Sequence, residues 1–109
     1  MITVFIASGI YSVTVIGHAG CGAKGEDPIC GAASVLALTM AENVKTMEES
    51  QWLENKTIVL RNGYADIQFC PKEEYRKAAM LVYESVVTGF QILHDQFPSY
   101  VNCSRITVL

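Results

Sequence analysis

The sequence predicts an α+β sandwich: a mostly antiparallel sheet with two amphipathic helices packed on it, in the order β-β-α-β-β-α-β. Three observations carry that expectation. Two β-rich runs near the start flank Ser8-Gly9, a second pair flanks Asn62-Gly63, and two long stretches repeat their apolar residues at the helical period. Hairpins and one-sided helices bury their apolar faces by stacking in layers.

The runs Ile2 to Ile6 and Tyr11 to Ile16 are rich in β-branched residues that alternate with polar ones, and Ser8-Gly9 is good turn chemistry between them. Gly17 to Gly25 holds four glycines among nine residues, so no regular element is expected there. A helix is expected after Asp27. Aspartate is a favoured N-cap and Pro28 suits the first helical position. Ile29, Ala32, Ala33, Leu36, Ala37, Met40, Val44 and Met47 then follow at helical spacing. Thr57 to Leu60 and Ala65 to Phe69 flank Arg61-Asn62-Gly63-Tyr64, where Asn-Gly is the strongest short hairpin signal. A second helix should run from about Lys72 to Phe97, with Ala79, Val82, Tyr83, Val86, Phe90, Leu93 and Phe97 on one face. Gly89 weakens that helix slightly, and close packing is one reason for a glycine there. Pro98 ends it, and Tyr100 to Leu109 reads as a closing strand.

The 109 residues suggest one domain, 1–109, with enough chain to bury a core unaided. Half of the residues are hydrophobic and 17% are charged, which excludes disorder. Eight basic residues against eleven acidic ones give a net charge of -3, a poor basis for gripping a phosphate backbone, so no nucleic-acid partner is expected. No run approaches the ~18 apolar residues of a membrane span, and the apolar N-terminus lacks the basic region of a signal peptide. A cytoplasmic location is therefore expected, with the four cysteines as thiols.

The residues with chemical potential crowd into Gly17 to Ser34, GHAGCGAKGEDPICGAAS. His18 falls where the second strand ends. Cys30 falls in the first turn of the first helix, where the dipole is positive and backbone N–H groups lack helical partners. A thiolate is favoured at such a place, and the thiolate is the reactive species. The same N–H groups, from Cys30 and a neighbour, are candidates to stabilise an oxyanion. A buried structural cysteine is the plainer alternative. Zinc is a sharper one: His18, Cys21 and Cys30 offer three ligands, with Cys70 or Cys103 to complete the set, although the short C-x-x-C spacing is absent. Asp27 has two open roles, capping the helix or orienting the His18 ring. Its charge opposes a thiolate nearby. Ser34, four residues after Cys30, shares its helix face and bonds either into the site or back to a carbonyl. Cys21, Cys70 and Cys103 read as ordinary thiols and His94 as a surface residue. Trp52, Tyr64 and Tyr75 line a groove or pack in the core.

The stretch resembles the signature of the ribosomal-processing cysteine protease (Prp) family. It matches as Gly17-His18-Ala19, then Gly25-Glu26-Asp27-Pro28-Ile29-Cys30, then Gly31-Ala32-Ala33-Ser34. The resemblance extends over the whole chain in length, opening strand and element order. Pro28 and Cys21 depart from the usual residues at their positions. The likeness implies catalytic roles for His18 and Cys30 and supporting roles for Asp27 and Ser34. It also implies a mobile loop containing Gly20, Cys21, Gly22 and Gly25, and a homodimer; no cofactor is expected. The implied substrate is a large-subunit ribosomal protein precursor, from which a short N-terminal extension is removed. A non-catalytic ribosome-associated adaptor is the alternative function.

Overall fold

In the computed structural model, residues 1–23 and 25–107 are described, Ser8 by its backbone alone. The strands are β1 (Ile2–Ser8), β2 (Ser12–Gly17), β3 (Leu53–Arg61), β4 (Tyr64–Pro71) and β5 (Val101–Thr107). Helix α1 (Pro28–Glu49) follows β2, and α2 (Arg76–Gln96) follows β4 after a short 3-10 turn at Glu73–Tyr75. The strands form one sheet in the order β3-β4-β2-β1-β5. Its β1/β2, β2/β4 and β3/β4 pairs are antiparallel, whereas β5 returns from α2 to lie parallel to β1. The expected α+β sandwich and element order are therefore present, in a mixed sheet whose majority is antiparallel.

Alternation decides which face is covered. Ile2, Val4 and Ile6 of β1 are buried, as are Val13 and Val15 of β2 and Ala65, Ile67 and Phe69 of β4; Phe5 and Ile16, on the other face, are about half exposed. The register sets Val4 opposite Val15 and Val13 opposite Ile67, so the inward residues form a continuous floor. Ala37, Met40 and Val44 of α1 and Ala79, Tyr83, Val87 and Phe90 of α2 complete the same core. A Cβ on Gly89 would lie 2.5 Å from Leu36 Cδ2, so the glycine lets the two helices approach.

Several boundaries differ from expectation by a residue or two, and some by more. Strand β3 begins at Leu53 rather than Thr57, and its added residues Glu54 and Asn55 are exposed. It is an edge strand, where charged residues are tolerated and hide the pattern. Helix α2 begins at Arg76 rather than Lys72, because the Lys72 N–H donates to Trp52 O (2.7 Å) and prolongs the sheet contact. The Trp52 and Tyr75 rings then stack at 5.2 Å. The final strand starts at Val101, and the expected residues 108 and 109 lie outside the described ones. His94 is half-buried rather than a surface residue: its Nδ1 lies 2.7 Å from the Val101 carbonyl oxygen, where α2 meets the start of β5. Among the described residues, no helix is long and apolar enough to cross a membrane.

Candidate active site

Strand β2 delivers His18 to one end of the sheet. The Gly17 N–H donates to Gly63 O (2.8 Å), tying the end of β2 to the β3–β4 turn. A Cβ on Gly17 would sit 2.5 Å from the Met1 carbonyl oxygen, so only glycine fits there without movement. The next residue, His18, is exposed, and its ring rests against Gly63: a Cβ on Gly63 would lie 2.9 Å from His18 Nε2. Gly63 also has φ +72, a left-handed conformation costly for other residues.

Helix α1 supplies the facing side. Asp27 Oδ1 accepts from the Ile29 and Cys30 N–H groups (3.0 Å each), while Oδ2 accepts from the Cys21 N–H (3.0 Å). One carboxylate therefore starts the helix and anchors the glycine-rich loop. Of the two roles left open by the sequence, capping is the one these bonds fill. The Cys30 N–H bond, with that of Cys21 and others, holds the Asp27 carboxyl below its ordinary 3.8 against the opposing effect of burial.

The sulfur is held by the segment that carries the histidine. The Ala19 N–H donates to Cys30 Sγ at 3.1 Å; Ala19 is buried and Cys30 half-buried. His18, Asp27, Cys30 and Ser34 line one cleft of about 630 Å³, with Leu38 and Leu60 among its apolar walls. Gly20, Gly22 and Gly25 border it, whereas Cys21 is exposed. The expected loop also includes Lys24, which lies outside the described residues.

One expectation for the helix start is corrected. The Cys30 N–H, expected to be available for an oxyanion, is committed to Asp27 Oδ1, and the Gly31 N–H donates to Asp27 O (3.0 Å). Among the described residues, no three of His, Cys, Asp or Glu gather in a way that could hold a metal, so His18, Cys21 and Cys30 do not form the set that the zinc alternative requires. All four cysteines are free thiols, and burial pushes the Cys103 thiol up. Tyr64 borders the cleft beneath the Arg61 guanidinium, 4.5 Å above its ring centroid. The sequence signalled Asn62-Gly63 as a turn but not its place beside His18, because that follows from β2/β4 pairing rather than from any local pattern.

A family model described as cysteine protease Prp matches residues 1–102. The chain belongs to the Prp cysteine protease family. Its fold is similar to the crystal structure of an essential ribosomal processing protease Prp from S. aureus in complex with a covalently linked product peptide. That likeness has 20% identity and a TM-score of 0.79, covering 97% of this chain and 100% of that one. The same S. aureus protease in complex with a substrate peptide gives 19% identity and a TM-score of 0.72, covering 97% and 100%. SMU.848 from Streptococcus mutans gives 25% identity and a TM-score of 0.69, covering 98% of this chain and 93% of that one. No curated protein matches the chain. The expected Prp resemblance is thus met by the family match, and the expected fold by these structures.

Proposed function

We propose that this chain is a cysteine endopeptidase that removes a short N-terminal extension from a large-subunit ribosomal protein, with Cys30 as nucleophile and His18 as general base. The observation that carries the reading is the Ala19 N–H bond to Cys30 Sγ. It brings the residue next to His18 onto the sulfur of a cysteine that lines a cleft, in a chain of a cysteine protease family. The similar S. aureus Prp, a ribosomal processing protease seen with peptides bound, favours a ribosomal protein as the substrate class.

In this mechanism His18 takes the Cys30 proton and the thiolate sulfur bonds to the scissile carbonyl carbon, whose π electrons move onto oxygen. The carbonyl re-forms as the C–N bond breaks, and His18⁺ gives its proton to the departing amine. Water, deprotonated by His18, then attacks the thioester, releasing the acid and restoring the thiol. Asp27 supports the site by fixing the helix start and the loop together, and Ser34 offers a hydroxyl to the bound peptide. The glycines at 20, 22 and 25, with Cys21 between them, absorb the backbone changes as the peptide enters. The enzyme works as a homodimer in the cytoplasm and needs no cofactor.

Purified protein incubated with the extended ribosomal precursor tests this reading. Cys30→Ala and His18→Ala should each abolish cleavage while circular dichroism stays unchanged. Cleavage that survives Cys30→Ala overturns the assignment. Selective labelling of Cys30 over the other three thiols by a peptide probe separates the enzyme from an inert adaptor.

A further inference from the structure

A thiolate attack needs donors aimed at the carbonyl oxygen as it becomes negative. The start of α1 has few to offer. Pro28 has no N–H, Ile29 and Cys30 both donate to Asp27 Oδ1, and Gly31 donates to Asp27 O. On the loop, the Cys21 N–H is held by Asp27 Oδ2. Backbone donors are normally all accounted for, and this accounting leaves a different group beside the sulfur. The Ala19 N–H lies 3.1 Å from Cys30 Sγ, in a residue only 5% exposed.

We propose that the Ala19 backbone N–H is the oxyanion donor of this protease, shared in sequence between the sulfur and the substrate oxygen. The proposal rests on the reading of Cys30 as nucleophile. Before attack, the N–H donates to the sulfur, which carries the negative charge as thiolate. As the C–S bond forms, the charge passes to the carbonyl oxygen, two bonds from that sulfur. A sulfur bonded to carbon is a weak acceptor and an oxyanion a strong one, so the same N–H turns to the oxygen. A donor in a buried residue needs no resolvation to do so, which makes it worth more than an exposed one. His18 and Ala19 would then divide the work: the side chain moves protons, and the next amide holds charge.

Replacing the Ala19 amide by an ester removes this single N–H and keeps the side chain. A full-length synthetic chain carrying L-lactate at position 19, ligated at Cys21, is compared with its all-amide counterpart. Peptide hydrolysis should fall on the order of 10²–10³-fold in kcat. Alkylation of Cys30 by iodoacetamide, which develops no oxyanion, should fall by a factor at least about tenfold smaller. Equal losses in the two reactions would mean that the N–H serves the thiolate only, and would overturn the proposal. Should the ester chain fail to fold, the unmodified protein gives a second measurement. A peptide aldehyde forms a tetrahedral adduct on Cys30, and the Ala19 amide proton should then move downfield in a ¹⁵N-labelled spectrum. A shifted Cys30 or Gly31 amide with Ala19 unmoved overturns the proposal. An aldehyde that leaves Cys30 unmodified by mass overturns the nucleophile assignment instead, so the two failures are told apart.

Discussion

The His18 imidazole rests on the backbone of Gly63, so close that a single added methyl on the glycine would sit 2.9 Å from Nε2. The β3–β4 turn is thus the wall against which the proposed base is set. Gly63→Ala should push the ring aside, and a misplacement of about 1 Å in a catalytic group can cost roughly 10²-fold in rate. The variant also carries left-handed strain of about 1–2 kcal/mol. Gly9→Ala separates the two effects, because Gly9 has φ +100 but lies in the exposed β1–β2 turn, outside the cleft. We expect kcat/KM for peptide cleavage to collapse in Gly63→Ala and to fall far less in Gly9→Ala. Equal losses would mean that backbone strain, rather than displacement of His18, limits the variant.

Some features of the molecule are local in origin. Asp27-Pro28 announced the start of α1 because capping and a fixed proline φ act within three residues, and the structure places both as expected. The β4 core residues Ala65, Ile67 and Phe69 were equally visible through their alternation. What stayed hidden depends on distant partners. Nothing near Gly63 says that it faces His18, since β2 must first pair with β4. The loss of the Cys30 N–H to Asp27 Oδ1 was foreseeable as a cap, yet its consequence for an oxyanion needed every donor to be placed. The parallel β1/β5 pairing was likewise beyond local patterns, which carry no record of strand direction.

Tyr83 closes the far end of the sheet. Its fully buried hydroxyl lies 2.9 Å from the Ser12 carbonyl oxygen and 3.3 Å from that of Ala7, locking α2 onto the β1–β2 turn. Tyr83→Phe keeps the ring, with its edge contacts to Tyr11 and Phe69, and removes only the donor. A carbonyl deprived of its partner in the core costs about 1–3 kcal/mol. Denaturant unfolding should show that loss, while kcat for peptide cleavage stays within error of the parent.

Gly89 and Leu36 should be coupled. Alanine in place of glycine within a helix gains about 1 kcal/mol from propensity. Here its Cβ would meet Leu36 Cδ2 at 2.5 Å, and forcing a packed side chain from its rotamer costs roughly 1–3 kcal/mol. Gly89→Ala should therefore be neutral to destabilising in the parent and stabilising in a Leu36→Ala background. A double-mutant cycle with coupling below about 0.5 kcal/mol would show that Leu36 swings away freely.

Acid should weaken the anchor that Asp27 provides at the start of α1. The Asp27 carboxyl is held below its unfolded value of 3.8, chiefly by the Cys30 N–H. A depressed folded-state pKa means that the unfolded chain takes up the proton first as pH falls. The stabilisation is therefore fully present above 3.8 and fades as pH drops through the lowered folded value. Asp27→Asn removes that dependence. Asparagine still caps a helix about as well, so Oδ1 can serve Ile29 and Cys30, but its amide nitrogen cannot accept the Cys21 N–H that Oδ2 accepts now. At neutral pH we expect the Asn variant to keep α1 and lose protection of the Cys21 amide in hydrogen exchange. Its unfolding midpoint should also lose the contribution of this site to the decline below pH 3.8. An unchanged acid limb would mean that other carboxylates dominate there, and a Cys21 amide as protected as before would show that the loop is held by something besides this carboxylate.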